Sequence, residues 1–430
     1  MYTIEITGGR PLCGSTRVHG AKNSVLPILA ATVLSEGTSV IRGCPYLEDV
    51  ACALEILECA GCVCKREGDA VSVDASVIRK SRIPDALMHK MRSSITFLGA
   101  MTARCGKAEM SFPGGCELGP RPIDLHIKAL REIGICVTEK GGFVRAETGD
   151  FAGGRVHLDF PSVGATENLM MAATLSRGET ILTNAAKEPE ICDLQNFLNK
   201  MGAKISGAGT DEIRIEGVPR LHGAEHRVIP DRIVAATYLC AGAMTGGQIE
   251  LKETEPEHIG AVLSVLRDAG AEVEIQDDRV YLKAPRRIKA IKLLRTMPYP
   301  GFPTDAQALV TAMLTLAEGT SVVEETIFEN RFRHCGELCR MGADITTRGR
   351  IAVIRGVPRL IGSRVEAMEL RGGAALVIAG LAAEGVTEVR GTAHIDRGYD
   401  TFLEDMRALG AQIIKREAGD WICRKKGKEI

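Results

Sequence analysis

Aromatic side chains are scarce: one Trp, six Tyr and ten Phe in 430 residues. So few ring faces argue against a stacking platform for nucleic-acid bases. An excess of either charge is also missing. The 54 Lys and Arg stand against 55 Asp and Glu, a net charge of −1. Neither bulk nucleic acid nor an anionic membrane surface is therefore expected as a partner, and any anion site has to be local. No apolar run approaches the ~20 residues of a membrane span. The best candidate, Ala374 to Ala383, reads as a buried helix. The opening Met1-Tyr2-Thr3-Ile4-Glu5-Ile6 has no basic or apolar leader segment, so no secretory signal is expected. Cysteine, by contrast, is plentiful at 14 residues. Without a leader these read as reduced thiols of a cytoplasmic protein, not as a disulfide framework.

The chain is 45% apolar, ample for buried cores, and its length exceeds what one core usually serves, so two domains are expected. One pattern recurs six times: an amphipathic helix stopped by a glycine, then a β-rich stretch. The stopping glycines are Gly61, Gly134, Gly202, Gly270, Gly342 and Gly410, separated by 73, 68, 68, 72 and 68 residues. Each suits the left-handed position that ends a helix. Interleaved are six nearly all-apolar helices, Leu26 to Gly37, Ile95 to Gly106, Leu169 to Gly178, Val234 to Gly247, Ala308 to Gly319 and Ala374 to Gly385. Their apolar faces predict burial, with the half-polar helices outside. Six α-β-α-β units imply pseudo-symmetry and divide most simply as three and three, with a boundary near His226-Arg227-Val228-Ile229-Pro230.

Unusual residues collect in the loops that follow the strand after each buried helix. They include Phe112 to Asp124 with Cys116, Lys187 to Glu190, Thr326 to Arg331, and His394 to Gly398. Loops at one place in several repeats are where sites are built. Cys116 follows two glycines and precedes Arg121, whose guanidinium would favour the thiolate. Cys59, Cys62 and Cys64 lack a second C-x-x-C, and Cys335 and Cys339 beside His334 read as packing, so no metal is expected. The starts of the buried helices carry Lys22-Asn23, Arg92, Ser162 to Thr166, Asp231-Arg232, Thr304-Asp305 and Leu370-Arg371. Capping explains any one of them. Together with Arg397, the five basic residues Lys22, Arg92, Arg232, Arg371 and Arg397 predict a centre for phosphorylated or carboxylated substrates. Asp305 is the carboxylate best placed as a base, although capping would also account for it.

Gly20-Ala21-Lys22-Asn23, Pro113-Gly114-Gly115-Cys116 with Arg121-Pro122, Asp124-Leu125-His126, Ser162 to Thr166, Pro230-Asp231-Arg232, Phe302 to Asp305, Phe328 to Arg331 and His394 to Tyr399 carry a resemblance. It is to the UDP-N-acetylglucosamine 1-carboxyvinyltransferases of the enolpyruvyl transferase family, from about residue 10 to 415. The resemblance implies a two-domain inside-out α/β barrel of six repeated α-β-α-β units, three per domain. Residues 22–229 would form the first domain, and 1–21 with 230–430 the second. It implies transfer of the enolpyruvyl group of phosphoenolpyruvate to the 3-hydroxyl of UDP-N-acetylglucosamine, the first committed step of peptidoglycan synthesis, with no cofactor. It makes Cys116 the general acid, and the thiol alkylated by fosfomycin. Asp305 becomes the base, and Lys22, Arg121 and Arg397 the holders of phosphate and carboxylate. Arg92 and Arg371 assist, with Arg232, Arg331 and Glu369 behind them. Asn23, Asp124, Leu125, Ser162, Val163, Gly164, Asp305, Ile327 and Phe328 match the nucleotide-sugar site.

Departures are Glu369 where the family usually has Asp, Tyr46 and Glu48 where some members have Lys, and Phe160-Pro161 where some have Lys-Val. Two other readings compete. A 5-enolpyruvylshikimate 3-phosphate synthase shares the fold, but lacks the Pro-Gly-Gly-Cys loop and has Lys-Ser at the first buried helix. A non-enzymatic paralogue that binds the nucleotide sugar would not need Lys22, Cys116, Asp305 and Arg397 intact.

Overall fold

The computed structural model describes residues 2–112 and 123–417. They fall into two compact units, each with its own apolar core. Residues 20–112 with 123–229 form what we call the inserted unit, and residues 2–19 with 230–417 the split unit.

The described residues hold fourteen α-helices. In the inserted unit they are α1 Lys22–Ala31, α2 Glu48–Ala60, α3 Asp85–Lys90, α4 Phe97–Cys105, α5 Asp124–Glu132, α6 Val163–Ala173 and α7 Pro189–Lys200. In the split unit they are α8 Arg232–Met244, α9 Gly260–Asp268, α10 Thr304–Leu314, α11 His334–Arg340, α12 Leu370–Ala382, α13 Ala393–Asp396 and α14 Phe402–Ala408. The inner helices are α1, α4 and α6 in one unit and α8, α10 and α12 in the other. Val25, Ile28 and Leu29 of α1 and Ala374 to Ala379 of α12 are almost wholly excluded from water. The outer helices bury one stripe each, such as Ile191, Leu194, Phe197 and Leu198 of α7, which is the spacing an amphipathic helix requires.

All six stopping glycines have positive φ, from 90° at Gly134 and Gly410 to 113° at Gly61. A left-handed residue there closes the helix end, and glycine takes it without a Cβ clash. The glycines expected to end the inner helices do a different job. Only Gly106 directly follows its helix; α6 ends at Ala173 and α8 at Met244, short of Gly178 and Gly247. A Cβ at Gly178 would come within 2.4 Å of the Ala152 carbonyl oxygen, and one at Gly247 within 2.4 Å of that of Leu12. These glycines admit a neighbouring chain at the entry to the strand. Lys187 to Glu190, expected as a loop, is partly helical: Glu188 is the N-cap of α7, and Pro189 and Glu190 are its first turn. Proline at the first helical position is preorganised for that start.

The strands make six separate small sheets, five of four strands and one of three. Each four-stranded sheet has one parallel edge pair followed by two antiparallel pairs. In the sheet of the sixth repeat, Tyr2–Thr7 lies between Val386–Arg390 and Gln412–Glu417, antiparallel to both. Cys13–Arg17 then runs parallel to Gln248–Lys252. The chain's start is thereby built into the split unit, and Gly20 opens the inserted one. A Cβ on Gly20 would sit 1.9 Å from the Gly43 carbonyl oxygen.

Candidate functional site

In the inserted unit, Lys22 and Asn23 are the first two residues of α1, and the N-cap is Ala21, which offers no capping side chain. Asn23 is therefore inside the helix and is not its cap. Pro27 lies in the same helix; it has no N–H for the carbonyl four residues back, which is that of Asn23. The Lys22 ammonium lies 2.8 Å from the Asp49 carboxylate of α2. Arg92 opens the short 3-10 turn Arg92–Thr96 that leads into α4. Ser162 is a true cap, accepting the Ala165 N–H at 3.4 Å. Val163 and Gly164 follow it on α6, and a Cβ on Gly164 would meet the His126 ring at 3.0 Å. Asp124 is the exposed first residue of α5, with Leu125 half-buried beside it.

His126 is fixed from below. Its Nδ1 lies 3.0 Å from the Asn168 amide, which also donates to the Ile95 carbonyl, and Asn168 Oδ1 accepts the Gly99 N–H at 2.6 Å. Burial first, then the Arg92 charge, brings the His126 pKa down to about 4. Nearby acids behave oppositely. Burial, with Glu190 and Glu188 adding like charge, holds the Glu167 carboxyl well above its usual range.

In the split unit, Asp305 is the second residue of α10 and its N-cap is Pro303, so Asp305 does not cap the helix. Its two oxygens are taken by two buried arginines: Arg331 Nη2 donates to Oδ1 at 2.7 Å and Arg371 Nη2 to Oδ2 at 3.3 Å. Arg331 Nη1 also approaches Glu369 Oε2 at 3.9 Å. Glu369 is the N-cap of α12, accepting the N–H groups of Arg371 and Gly372. The Tyr399 ring lies under the Arg371 guanidinium at 5.4 Å, and the Tyr399 hydroxyl bonds Thr237 Oγ1 at 2.8 Å. Burial opposes the Arg371 charge, but Tyr399, Asp305 and Asp231 outweigh it and the guanidinium is held charged. Arg232 begins α8 behind the cap Asp231, which accepts from Ile233 N and Val234 N, and stands 5.7 Å over the Tyr299 ring. Arg397 closes the short helix α13.

Ile327 and Phe328 are held by a residue that sequence reasoning missed. Glu325, fully buried, accepts from Ile327 N at 2.8 Å and Phe328 N at 3.1 Å, and from the Thr296 and Thr304 hydroxyls at 2.9 and 2.8 Å. Asp49 was missed as well. Its signal is an acid on the apolar stripe of α2, in line with Ala53, Ile56 and Ala60. Cys116 and Arg121 lie outside the described residues.

The expected residues thus gather at inner-helix starts and adjacent loops of each unit. Each unit places cations there, Lys22 and Arg92 in the inserted unit and Arg371 and Arg397 in the split unit, and the carboxylates of Asp124 and of Asp305, the latter at 28% side-chain exposure, reach solvent. Among the described residues, no group of three or more His, Cys, Asp or Glu is placed to hold a metal ion. None of their helices is long and apolar enough to cross a membrane.

The chain matches the family model described as EPSP synthase (3-phosphoshikimate 1-carboxyvinyltransferase) over residues 6–406. It is 54% identical to the UDP-N-acetylglucosamine 1-carboxyvinyltransferase 2 of Caldanaerobacter subterraneus subsp. tengcongensis over 415 residues, 96% of this chain and 100% of the relative. It is 50% identical to the UDP-N-acetylglucosamine 1-carboxyvinyltransferase 1 of Carboxydothermus hydrogenoformans, covering 98% and 99%. Among solved structures, the enolpyruvyl transferase NikO from Streptomyces tendae aligns with a TM-score of 0.87 at 25% identity, covering 96% and 99%. EPSP synthase from Acinetobacter baumannii aligns at 0.75 and 20% identity, covering 97% and 100%, a likeness of fold.

Proposed function

We propose the function from one premise: the chain belongs to the EPSP synthase family of carboxyvinyltransferases, and within it to those that use UDP-N-acetylglucosamine. The protein is an enzyme that transfers the enolpyruvyl group of phosphoenolpyruvate to UDP-N-acetylglucosamine, the first step of peptidoglycan synthesis. The observation that carries the choice of acceptor is end-to-end identity. Relatives bearing the UDP-N-acetylglucosamine name match at 46–54% over nearly the whole chain, whereas the solved EPSP synthases share its fold at 20–21%.

The acceptor atom is the 3-hydroxyl of the sugar. Cys116 donates a proton to the methylene carbon of phosphoenolpyruvate, which makes the central carbon electrophilic. Asp305 takes the proton of the attacking hydroxyl, which adds to the central carbon; the methyl group formed by the first protonation then gives up a proton as phosphate leaves, and the vinyl group is restored. Lys22, Arg121 and Arg397 hold the phosphate and carboxylate, and their fixed positive charge favours the departing anion. Arg92 and Arg371 add to that field. Asn23, Asp124, Leu125, Ser162, Val163, Gly164, Ile327 and Phe328 bind the nucleotide sugar. Arg232, Arg331 and Glu369 orient the groups that touch substrate. The two functional domains are residues 22–229 and residues 1–21 with 230–430. The enzyme works in the cytoplasm, serving wall growth and division, and an epoxide such as fosfomycin alkylates Cys116.

The test is phosphate release from phosphoenolpyruvate with UDP-N-acetylglucosamine or shikimate 3-phosphate as acceptor. Turnover with the nucleotide sugar alone is expected. Turnover with shikimate 3-phosphate instead would overturn the acceptor, and none with either would make the protein a binding paralogue.

A further inference from the structure

Lys22 and Asp49 form an ion pair of 2.8 Å whose side chains are 12% and 6% exposed. A nearly buried carboxylate is costly to keep, and a buried ion pair often stabilises a fold no better than well-packed apolar residues would. Helix α2 does not need Asp49 for its dipole, because Glu48 already supplies an exposed acid at its first position. Asp49 also occupies a place on the buried stripe of α2 where an apolar side chain would pack against α1. A carboxylate there gives the lysine a fixed partner. An ammonium on a four-carbon stem is a mobile point charge unless something holds it.

We propose that Asp49 is a positioning residue that keeps the Lys22 ammonium charged and aimed for the phosphate of phosphoenolpyruvate. The inference rests on Lys22 being a ligand of that substrate. An ammonium has three donors. The Asp49 carboxylate fixes the direction of one of them and offsets part of the positive charge that would otherwise retain the phosphate product. Asp49 itself touches no reacting atom, so its loss should weaken binding of one substrate and leave the chemical step nearly intact.

The test uses the full-length enzyme. Asp49→Asn, nearly isosteric but uncharged, should raise KM for phosphoenolpyruvate roughly tenfold, with kcat and the KM for UDP-N-acetylglucosamine within about twofold. Acetylation of Lys22 by an N-hydroxysuccinimide ester at pH 8, followed by mass spectrometry, should run at least about fivefold faster in that variant, because the neutral amine is no longer disfavoured. The other lysines serve as controls. Asp49→Glu, which keeps the charge but displaces it, should recover part of both changes. If Asn at this position prevents folding, Asp49→Glu alone decides: an unchanged KM for phosphoenolpyruvate overturns the proposal. So does an Asp49→Asn variant that loses only thermal stability, with Lys22 acetylation and both KM values unmoved. Lys22→Gln separates the layers. If it raises KM for phosphoenolpyruvate and Asp49→Asn does not, Asp49 is a packing residue. If Lys22→Gln leaves that KM unchanged, the assignment of Lys22 falls, and this inference falls with it.

Discussion

The two units begin their inner helices on the same repeated scaffold but manage the charges there in different directions. In the inserted unit the pairing runs from an inner helix to an outer one, Lys22 of α1 to Asp49 of α2. In the split unit it runs sideways, between neighbouring inner helices: Asp305 of α10 binds Arg371 of α12, and Arg331 joins Asp305 to Glu369. A lateral network ties several helix ends together, so the loss of one member should be felt by all. The difference leaves one cation, Lys22, held by an outer helix and one carboxylate, Asp305, held by two arginines.

The largest effect should come from Cys116, which lies outside the described residues. Cys116→Ser should lose at least about a hundredfold in turnover, the usual worth of a general acid, because a hydroxyl is far too weak an acid to replace a thiol of pKa about 8.5. UDP-N-acetylglucosamine binding should persist, read by calorimetry. Cys116→Asp should keep substantial activity and resist fosfomycin, having no sulfur nucleophile. Near-normal turnover in Cys116→Ser would move the proton donor elsewhere.

The lateral network is broken most directly at Arg331. Arg331→Met removes the guanidinium that spans the Asp305 and Glu369 carboxylates and should cost about 3 kcal/mol in urea unfolding, as broken buried pairs do. Turnover should fall as well. If the loss is below about 0.5 kcal/mol, the network is no more than a set of surface-like pairs, and the contrast between the units disappears.

Part of this was legible in the sequence. The six glycine stops were readable because a left-handed helix end is a local requirement, and all six have positive φ. The starts of the inner helices were only half readable. Ser162, Asp231 and Glu369 do cap their helices, whereas Asn23 and Asp305 lie within theirs. Both groups look alike in sequence, because one residue of register decides whether a polar side chain turns back on the helix. Asp49 and Glu325 were not read at all. Each matters through partners brought near by folding, and neither has a local pattern beyond an acid where an apolar residue is expected.

A smaller effect compares one buried histidine from each unit, His126 and His334. Burial is the main cause that brings both His126 and His334 down to about 4. The Arg92 charge adds to this at His126; at His334, Glu369 opposes it and Arg331 adds to it. An unfolded histidine titrates near 6.5. Between those values the unfolded chain binds more protons, so the stability these residues supply is complete above about pH 6.5 and is lost as pH falls toward 4. At pH 5 each should account for about 2 kcal/mol of lost stability, read as a drop in the urea midpoint. His126→Gln and His334→Gln should each flatten roughly half of that dependence. A slope that survives either change intact would leave the carboxylates as its source.

The smallest change should be the one at the departure from the family pattern. Glu369 accepts two backbone N–H groups at the start of α12, and its Oε1 lies where a Cβ on residue 372 would come within 2.6 Å, so Gly372 is what admits the longer side chain. The carboxylate therefore reaches the helix end despite its extra methylene, and the dipole there favours it. Aspartate is a better cap by class, and Glu369→Asp should keep both backbone bonds while drawing the charge away from Arg331, now 3.9 Å distant. Cap and network thus change in opposite senses, and turnover should stay within about tenfold of the natural protein. A rise of a hundredfold or more would mean that Glu369 impairs catalysis and that the natural chain is a slowed paralogue. A comparable fall would mean that the glutamate's reach to Arg331 matters more than its cap, making the lateral network the controlling feature of the split unit.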